Sequence, residues 1–282
     1  MMDHVTELRK FVMQSLRETP APAEPAPRLV LFLGSRTGVG TTSLMVNFGI
    51  ALADQGLRAV VVDTGTTTSP LAELCGLKLS PHRPPAATFP RDIHEVLVLG
   101  PAGIQLVPGF GQPNSDDPWT PFTQERTLRQ LRNLGRHADI VLLDGGHGSI
   151  DVLRRWCLAV DDLLLVTTPS PSAVVDLYVQ LRLVIPHEAL HRCSLIVNGC
   201  TQAIQGQQVQ WQIQQGWSQN HPLQLPLLGT VPQDDAVAWA SRRGQPFFLQ
   251  SPPGPAARAV QQMALLVSRG CAMQEELKSA AA

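Results

Sequence analysis

The sequence predicts an α/β fold, a doubly wound and mainly parallel β-sheet flanked by helices. Three observations carry this. The apolar runs RLVLFLGS, RAVVVDT, IQLVPG, DIVLLDGG, DLLLVTTPS, CSLIVNGC and LLGTVP show little polar alternation, as strands buried on both faces do. Stretches of helical periodicity lie between them, so the connections read as right-handed βαβ crossovers. The first run passes through a glycine-containing turn straight into an amphipathic stretch, the context that a phosphate-binding loop requires. In such a sheet ligands sit at the carboxyl edge of the strands.

At the amino end, HVTELRKFVMQSLRE places Val5, Leu8, Val12 and Leu16 on one helical face, and TPAPAEPAPR follows as a proline-rich tether. The chain therefore divides into an amphipathic helix over residues 1–18, a linker over 19–27, a core over 28–270 and a tail over 271–282. The first helix either packs on its own core or serves as a partner-binding peptide on a leash. Within the core the helical candidates include Thr42 to Gln55, Thr123 to Leu134, Ala173 to Val184 and Ala256 to Val267. The stretch from Leu79 to Arg91 and the segment GFGQPNSDDPWTPF cluster prolines with polar residues and read as surface loops.

Composition weighs against several function classes. With a formal net charge of -1 and no block of Lys or Arg, the chain lacks the footprint of a nucleic-acid binder. Cys75, Cys157, Cys193, Cys200 and Cys271 are odd in number and lack metal-ligand spacing, so they read as small buried apolar residues in a reducing compartment. No signal-peptide core or membrane-length apolar stretch occurs, which predicts a cytoplasmic protein. The first turn also lacks the GxGxxG pattern of a dinucleotide enzyme.

In the loop SRTGVGTTS, Gly38 and Gly40 let backbone N–H groups close around phosphate oxygens, with Val39 between them. The helix that begins near Thr42 and Ser43 points its positive end at the same charge. This loop resembles the deviant Walker A of MinD/ParA ATPases, which implies a SIMIBI-type P-loop fold with ATP and Mg²⁺ as ligands. In that family a signature lysine stands where this chain has Arg36, and the phosphate-loop lysine stands where it has Thr41. The resemblance makes Thr42 the Mg²⁺-binding hydroxyl, and Arg36 a cation that reaches the phosphates across a nucleotide-sandwiched homodimer.

RAVVVDTGTTTSPLAELCGL resembles the family's second strand and switch I. Asp63 matches its first acidic residue, a Mg²⁺ partner, and reads equally as a strand-end turn residue. Gly65 replaces the second acidic residue, which helps orient the attacking water. DIVLLDGGHG resembles Walker B and switch II, with Asp144 brought to the sheet edge to hold Mg²⁺ through water. His147 in that loop reads as incidental. The resemblance implies that Asn198, in CSLIVNGC, and the loop at Pro232 contact the adenine ring. Asp234 and Asp235 read as loop solvation. The assignment is thus Arg36 and Asp144 for catalysis, residues 38–43 with Asn198 and Pro232 for nucleotide, and Thr42, Asp63 and Asp144 for metal.

Within the family the likeness is to FlhG/FleN regulators of flagellar number and placement. DHVTELR, Asp3 to Arg9, resembles their DQAxxLR-like segment, and TPSPSAVVDLYVQLRLV and SRRGQPFFLQSPPGPAARAV are similar to corresponding stretches. This implies an FlhF-like GTPase partner engaged through residues 3–16. A second likeness, to BcsQ-type proteins of cellulose secretion, lies in the GVGTT run. The carboxyl-terminal SRGCAMQEELKSAAA is short of cations, so attachment to anionic lipid is expected to be weak or indirect, with recruitment to the membrane or cell pole through a partner. With Thr41 and Gly65 at two catalytic positions, the expectation is a nucleotide-binding switch with slow or absent hydrolysis. The competing class is a scaffold that keeps the fold without cleaving nucleotide.

Overall fold

A computed structural model describes residues 25–64, 70–77, 93–109, 119–146, 148–217 and 223–280, and of Glu95, Arg136 and residues 271–280 the backbone alone. Strands β1 (Arg28–Gly34), β2 (Ala59–Asp63), β3 (Val98–Leu99), β4 (Gln105–Val107), β5 (Ile140–Asp144), β6 (Asp162–Thr167), β7 (Cys193–Cys200) and β8 (Leu227–Pro232) form one sheet in the order β3-β4-β2-β5-β1-β6-β7-β8. Every pair is parallel except β3 with β4. The apolar runs expected as strands supply the parallel part. The two-residue β3 carries no sequence period and was not expected. It exists because the chain folds back between Gly100 and Ile104, whose N–H and carbonyl meet at 2.8 Å, around a turn with Ala102 and Gly103 at φ 55° and 81°.

The helices are α1 (Thr41–Asp54), α2 (Pro70–Leu74), α3 (Pro121–Arg132), α4 (Ile150–Ala159), α5 (Pro171–Leu183), α6 (Gln205–Gly216), α7 (Asp235–Arg242) and α8 (Pro255–Ala280). Both α3 and α5 start two residues before their expected bounds. Proline at the first helical position has no N–H to lose, and the hydroxyls of Thr120 and Ser170 accept from the N–H groups of Thr123 and Ala173. At the other end of the chain, α8 continues well past Val267 and runs through residue 270 without a backbone break.

Successive β1 residues serve opposite layers, which is why its sequence is continuously apolar. Leu29, Leu31 and Leu33 face the layer containing Trp156, Leu177, Leu181 and Ile213. Val30 and Phe32 face Met45, Phe48, Val260 and Met263 on the other side. The start of β1 is pinned by Arg28, which pairs with Asp162 through Nε at 2.5 Å and Nη2 at 2.7 Å, and whose Nη1 reaches the Val267 carbonyl at 3.5 Å.

The four described cysteines are free. Burial pushes the thiols of Cys75, Cys157 and Cys193 up to about 12, so they behave as apolar packing groups. Among the described residues no helix is long and apolar enough to cross a membrane.

Between β2 and β5, Arg58 donates to the Asp139 carboxylate with Nη2 at 2.5 Å and holds that carboxyl below its ordinary value. A lowered carboxyl pKa contributes stability above the ordinary carboxylate range, and the contribution disappears as pH falls through the lowered value. Asp139→Asn is therefore expected to lower the melting temperature at neutral pH and to bring it level with the unmodified protein at strongly acidic pH. Thermal denaturation across that range checks this, and the effect is small because the pair is partly exposed.

Candidate phosphate-binding site

β1 ends at Gly34, and the chain turns through residues 35–40 before α1 begins at Thr41. Gly38 and Gly40 take φ of 87° and 90°, a left-handed conformation that side-chain-bearing residues rarely adopt. Gly40 also caps α1, and a Cβ there would lie 2.5 Å from the Asn198 amide nitrogen. The glycine spacing read from the sequence therefore has two physical causes, backbone hand and close approach.

The loop roofs a cleft of about 810 Å³ at the carboxyl edge of the sheet. Arg36, Gly38, Gly40, Thr41, Thr42, Ser43, Asp63 and Asp144 all line it, so the tertiary structure gathers most of the expected site. Asp63 and Asp144 sit directly opposite each other in the β2–β5 register and are 3% and 6% exposed. Asp144 accepts the Thr42 hydroxyl at 2.5 Å and the Gly146 N–H at 3.0 Å. The donor atoms here are hydroxyl and carboxylate oxygens, a set that suits a hard divalent cation.

Electrostatics of the cleft depend on one residue. Arg36 is the single Lys or Arg in the described lining, against Asp63, Asp144 and Asp176. Its guanidinium does not project freely: Nη1 donates to Ser172 at 2.9 Å, and Nε lies 3.7 Å from the Asp176 carboxylate, with both side chains about half exposed. The hydroxyl of Thr41 is directed at the Cα of Gly34, where it fills the space of a missing Cβ.

Three expected residues sit differently. Val39 is 3% exposed and packs into the core, so its backbone alone is available to a ligand. Asn198 donates its amide to the Val39 carbonyl at 2.8 Å, bracing the loop from β7. Asn198 and Pro232 lie outside the lining of this cleft. Asp234 is no solvating loop residue: its carboxylate accepts from Ala236 at 3.0 Å and Ala256 at 3.1 Å, tying the starts of α7 and α8 together. Gly65, His147 and the segment 3–16 fall outside the described residues.

The structure also adds Gln180, whose Nε2 donates to the carbonyls of Gly34 at 2.7 Å and Ser35 at 3.3 Å. Gln180 lies 146 residues from Gly34, and no local pattern in the sequence marks it.

A family model described as cellulose biosynthesis protein BcsQ matches residues 28–267. That likeness therefore spans the whole core, whereas the sequence placed it in the loop alone. The chain is 23% identical over 239 residues to the antiactivator FleN of Pseudomonas aeruginosa, covering 84% of this chain and 85% of that one. In three dimensions it is similar to the MinC:MinD cell division protein complex of Aquifex aeolicus, with a TM-score of 0.67 and 20% identity over 86% of this chain and 95% of that one. MinD of Pyrococcus horikoshii, complexed with Mg-ADP, superposes with a TM-score of 0.63 and 18% identity over 86% and 96% of the two chains. The architecture is thus that of the MinD/ParA-type P-loop fold.

Gly40→Ala would place a methyl group against Asn198 and impose about 1–2 kcal/mol of backbone strain. The expected outcome is a folded protein with a lower melting temperature and a distorted loop, seen as increased hydrogen exchange over residues 35–44 with the sheet amides unchanged.

Proposed function

Because the chain belongs to the BcsQ family, with the MinD/ParA-type fold, we propose that it is a nucleotide-binding switch protein that binds Mg²⁺-ATP and serves cellulose secretion. The observation that carries nucleotide binding is the hydrogen bond of Thr42 to the buried Asp144, with Asp63 opposite it in register, beneath a loop bent by two left-handed glycines. The family match over residues 28–267 carries the cellulose setting.

The chain's own groups divide the work. Backbone N–H groups around Gly38 and Gly40 and in the first turn of α1 bind phosphate oxygens. The Thr42 hydroxyl and Asp144 orient the cation, with Asp63 beside them. Bound Mg²⁺ supplies the positive charge that neutralises the β- and γ-phosphates. That contribution weighs heavily in this protein, because the lining offers Arg36 against three carboxylates. In the nucleotide-bound state Arg36 exchanges Ser172 and Asp176 for phosphate, its own or that of a second copy, and its planar guanidinium suits bidentate contact. Asn198 braces the loop and adjoins the adenine position, with Pro232 on the next strand.

Hydrolysis is slow or absent in this proposal. Thr41 brings no ammonium to the developing charge, and Gly65 brings no carboxylate to the attacking water. The protein therefore holds nucleotide as a signal, read by a partner from the closed homodimer. A second reading, control of flagellar number through an FlhF-like GTPase, is favoured by the FleN similarity and by the DHVTELR segment. In either setting the protein works in the cytoplasm and reaches the membrane or cell pole through its partner.

Calorimetry is expected to show ATP binding that weakens at least about tenfold when Mg²⁺ is chelated, with little turnover. Thr41→Lys is expected to reduce the Mg²⁺ requirement and to raise turnover by about 10-fold or more. An unmodified protein that fails to bind Mg²⁺-ATP would sink the proposal. The setting is decided by affinity capture with the full chain and with a chain beginning at Arg28. Recovery of cellulose-secretion components by both is expected, whereas recovery of a GTPase by the full chain alone would establish the flagellar reading.

A further inference from the structure

The ends of β2 and β5 are held by a buried hydrogen-bond path that leads away from the cleft. Thr64, 4% exposed, donates its hydroxyl to the carbonyl of Asp144 at 2.5 Å. The carbonyl of Thr64 accepts the indole N–H of Trp119 at 3.0 Å. Trp119 is itself buried and packs edge-on against Trp156, with ring centroids 5.1 Å apart. Its carbonyl accepts from Arg155 Nη2 at 3.2 Å. Arg155 Nε donates to Gln124 at 2.6 Å, and Gln124 donates to the Val152 carbonyl at 2.9 Å.

Burial makes this path consequential. A carbonyl removed from water needs a donor, and the Trp119 indole is placed so that its apolar body fills the α3–α4 layer while its N–H points at the strand end. Thr64 follows Asp63 directly and bonds the backbone of Asp144, so it touches both carboxylate-bearing residues. Groups one shell away from a metal ligand fix the ligand's orientation and tune metal affinity.

We propose that Trp119 is a positioning residue for the cation-holding pair Asp63 and Asp144, acting through Thr64, and that it sets how readily Mg²⁺ joins the nucleotide. This inference rests on the Mg²⁺-nucleotide proposal above. Trp119 is not among the described residues that line the cleft, so its effect is expected on the metal, with the phosphate loop left alone.

Two variants test it. Trp119→Phe keeps an aromatic ring against Trp156 and deletes the donor, while Thr64→Val deletes the hydroxyl at constant shape. The readout is the Mg²⁺ concentration giving half-maximal ADP binding, measured beside ADP affinity with Mg²⁺ chelated. Each variant is expected to raise the Mg²⁺ midpoint about five- to tenfold while ADP affinity without Mg²⁺ stays within about twofold. Trp211→Phe, on the exposed side of α6, leaves both unchanged. An unmoved midpoint, or a parallel loss of both quantities as general loosening would give, overturns the inference and leaves nucleotide binding standing. An unmodified protein without Mg²⁺-dependent ADP binding overturns both. If Trp119→Phe does not fold, Thr64→Val decides the matter.

Discussion

The pairing of Asp63 with Asp144 on adjacent strand ends is the constraint around which the cleft is organised. Two carboxylates buried at one sheet edge repel each other, and burial deepens the cost. The fold meets this with fixed donors: the Thr42 hydroxyl from α1, the Gly146 N–H from the following loop, and the Thr64 hydroxyl on the neighbouring carbonyl. The register itself comes from β1 lying between β5 and β6, with Phe32 opposite Asp144. That arrangement delivers the phosphate loop from β1 and the acidic ends from β2 and β5 to one place.

Charge in the cleft runs opposite to that of many phosphate sites. Arg36 faces three acidic side chains, and in the isolated chain it is turned toward Ser172 and Asp176 on α5. A site of this polarity suits the ligand proposed for it, a phosphate that arrives with its own divalent counter-ion. On the proposed reading, Thr41 in place of a lysine leaves the neutralising role to the metal. In that proposal, control of the metal position is control of the ligand state, and the buried Thr64–Trp119 link takes its significance from it.

Much of the fold was legible because its signals are local. Continuous apolar runs such as DIVLLDGG encode strands covered on both faces, and the observed sheet contains each of them. Boundaries were less legible: α3 and α5 begin at prolines whose acceptance depends on the preceding hydroxyl cap, and β3 is too short to show a period. The loop residues 38–43 and the ends at Asp63 and Asp144 were identifiable from strand-turn-helix context and from resemblance. Gln180, Trp119 and the clamp at Asp234 were not, because their partners lie 146, 55 and 22 residues away in sequence.

By itself, the sequence determined the strands, the glycine loop and its missing lysine, since each depends on near neighbours, on burial or on the identity of a single side chain. Tertiary structure decided which way those side chains turn. It committed Asn198 to the Val39 carbonyl, buried the side chain of Val39, and engaged Arg36 with α5. Those outcomes follow from the packing of β7 and α5 against the loop, and contacts between distant segments leave no period in the chain.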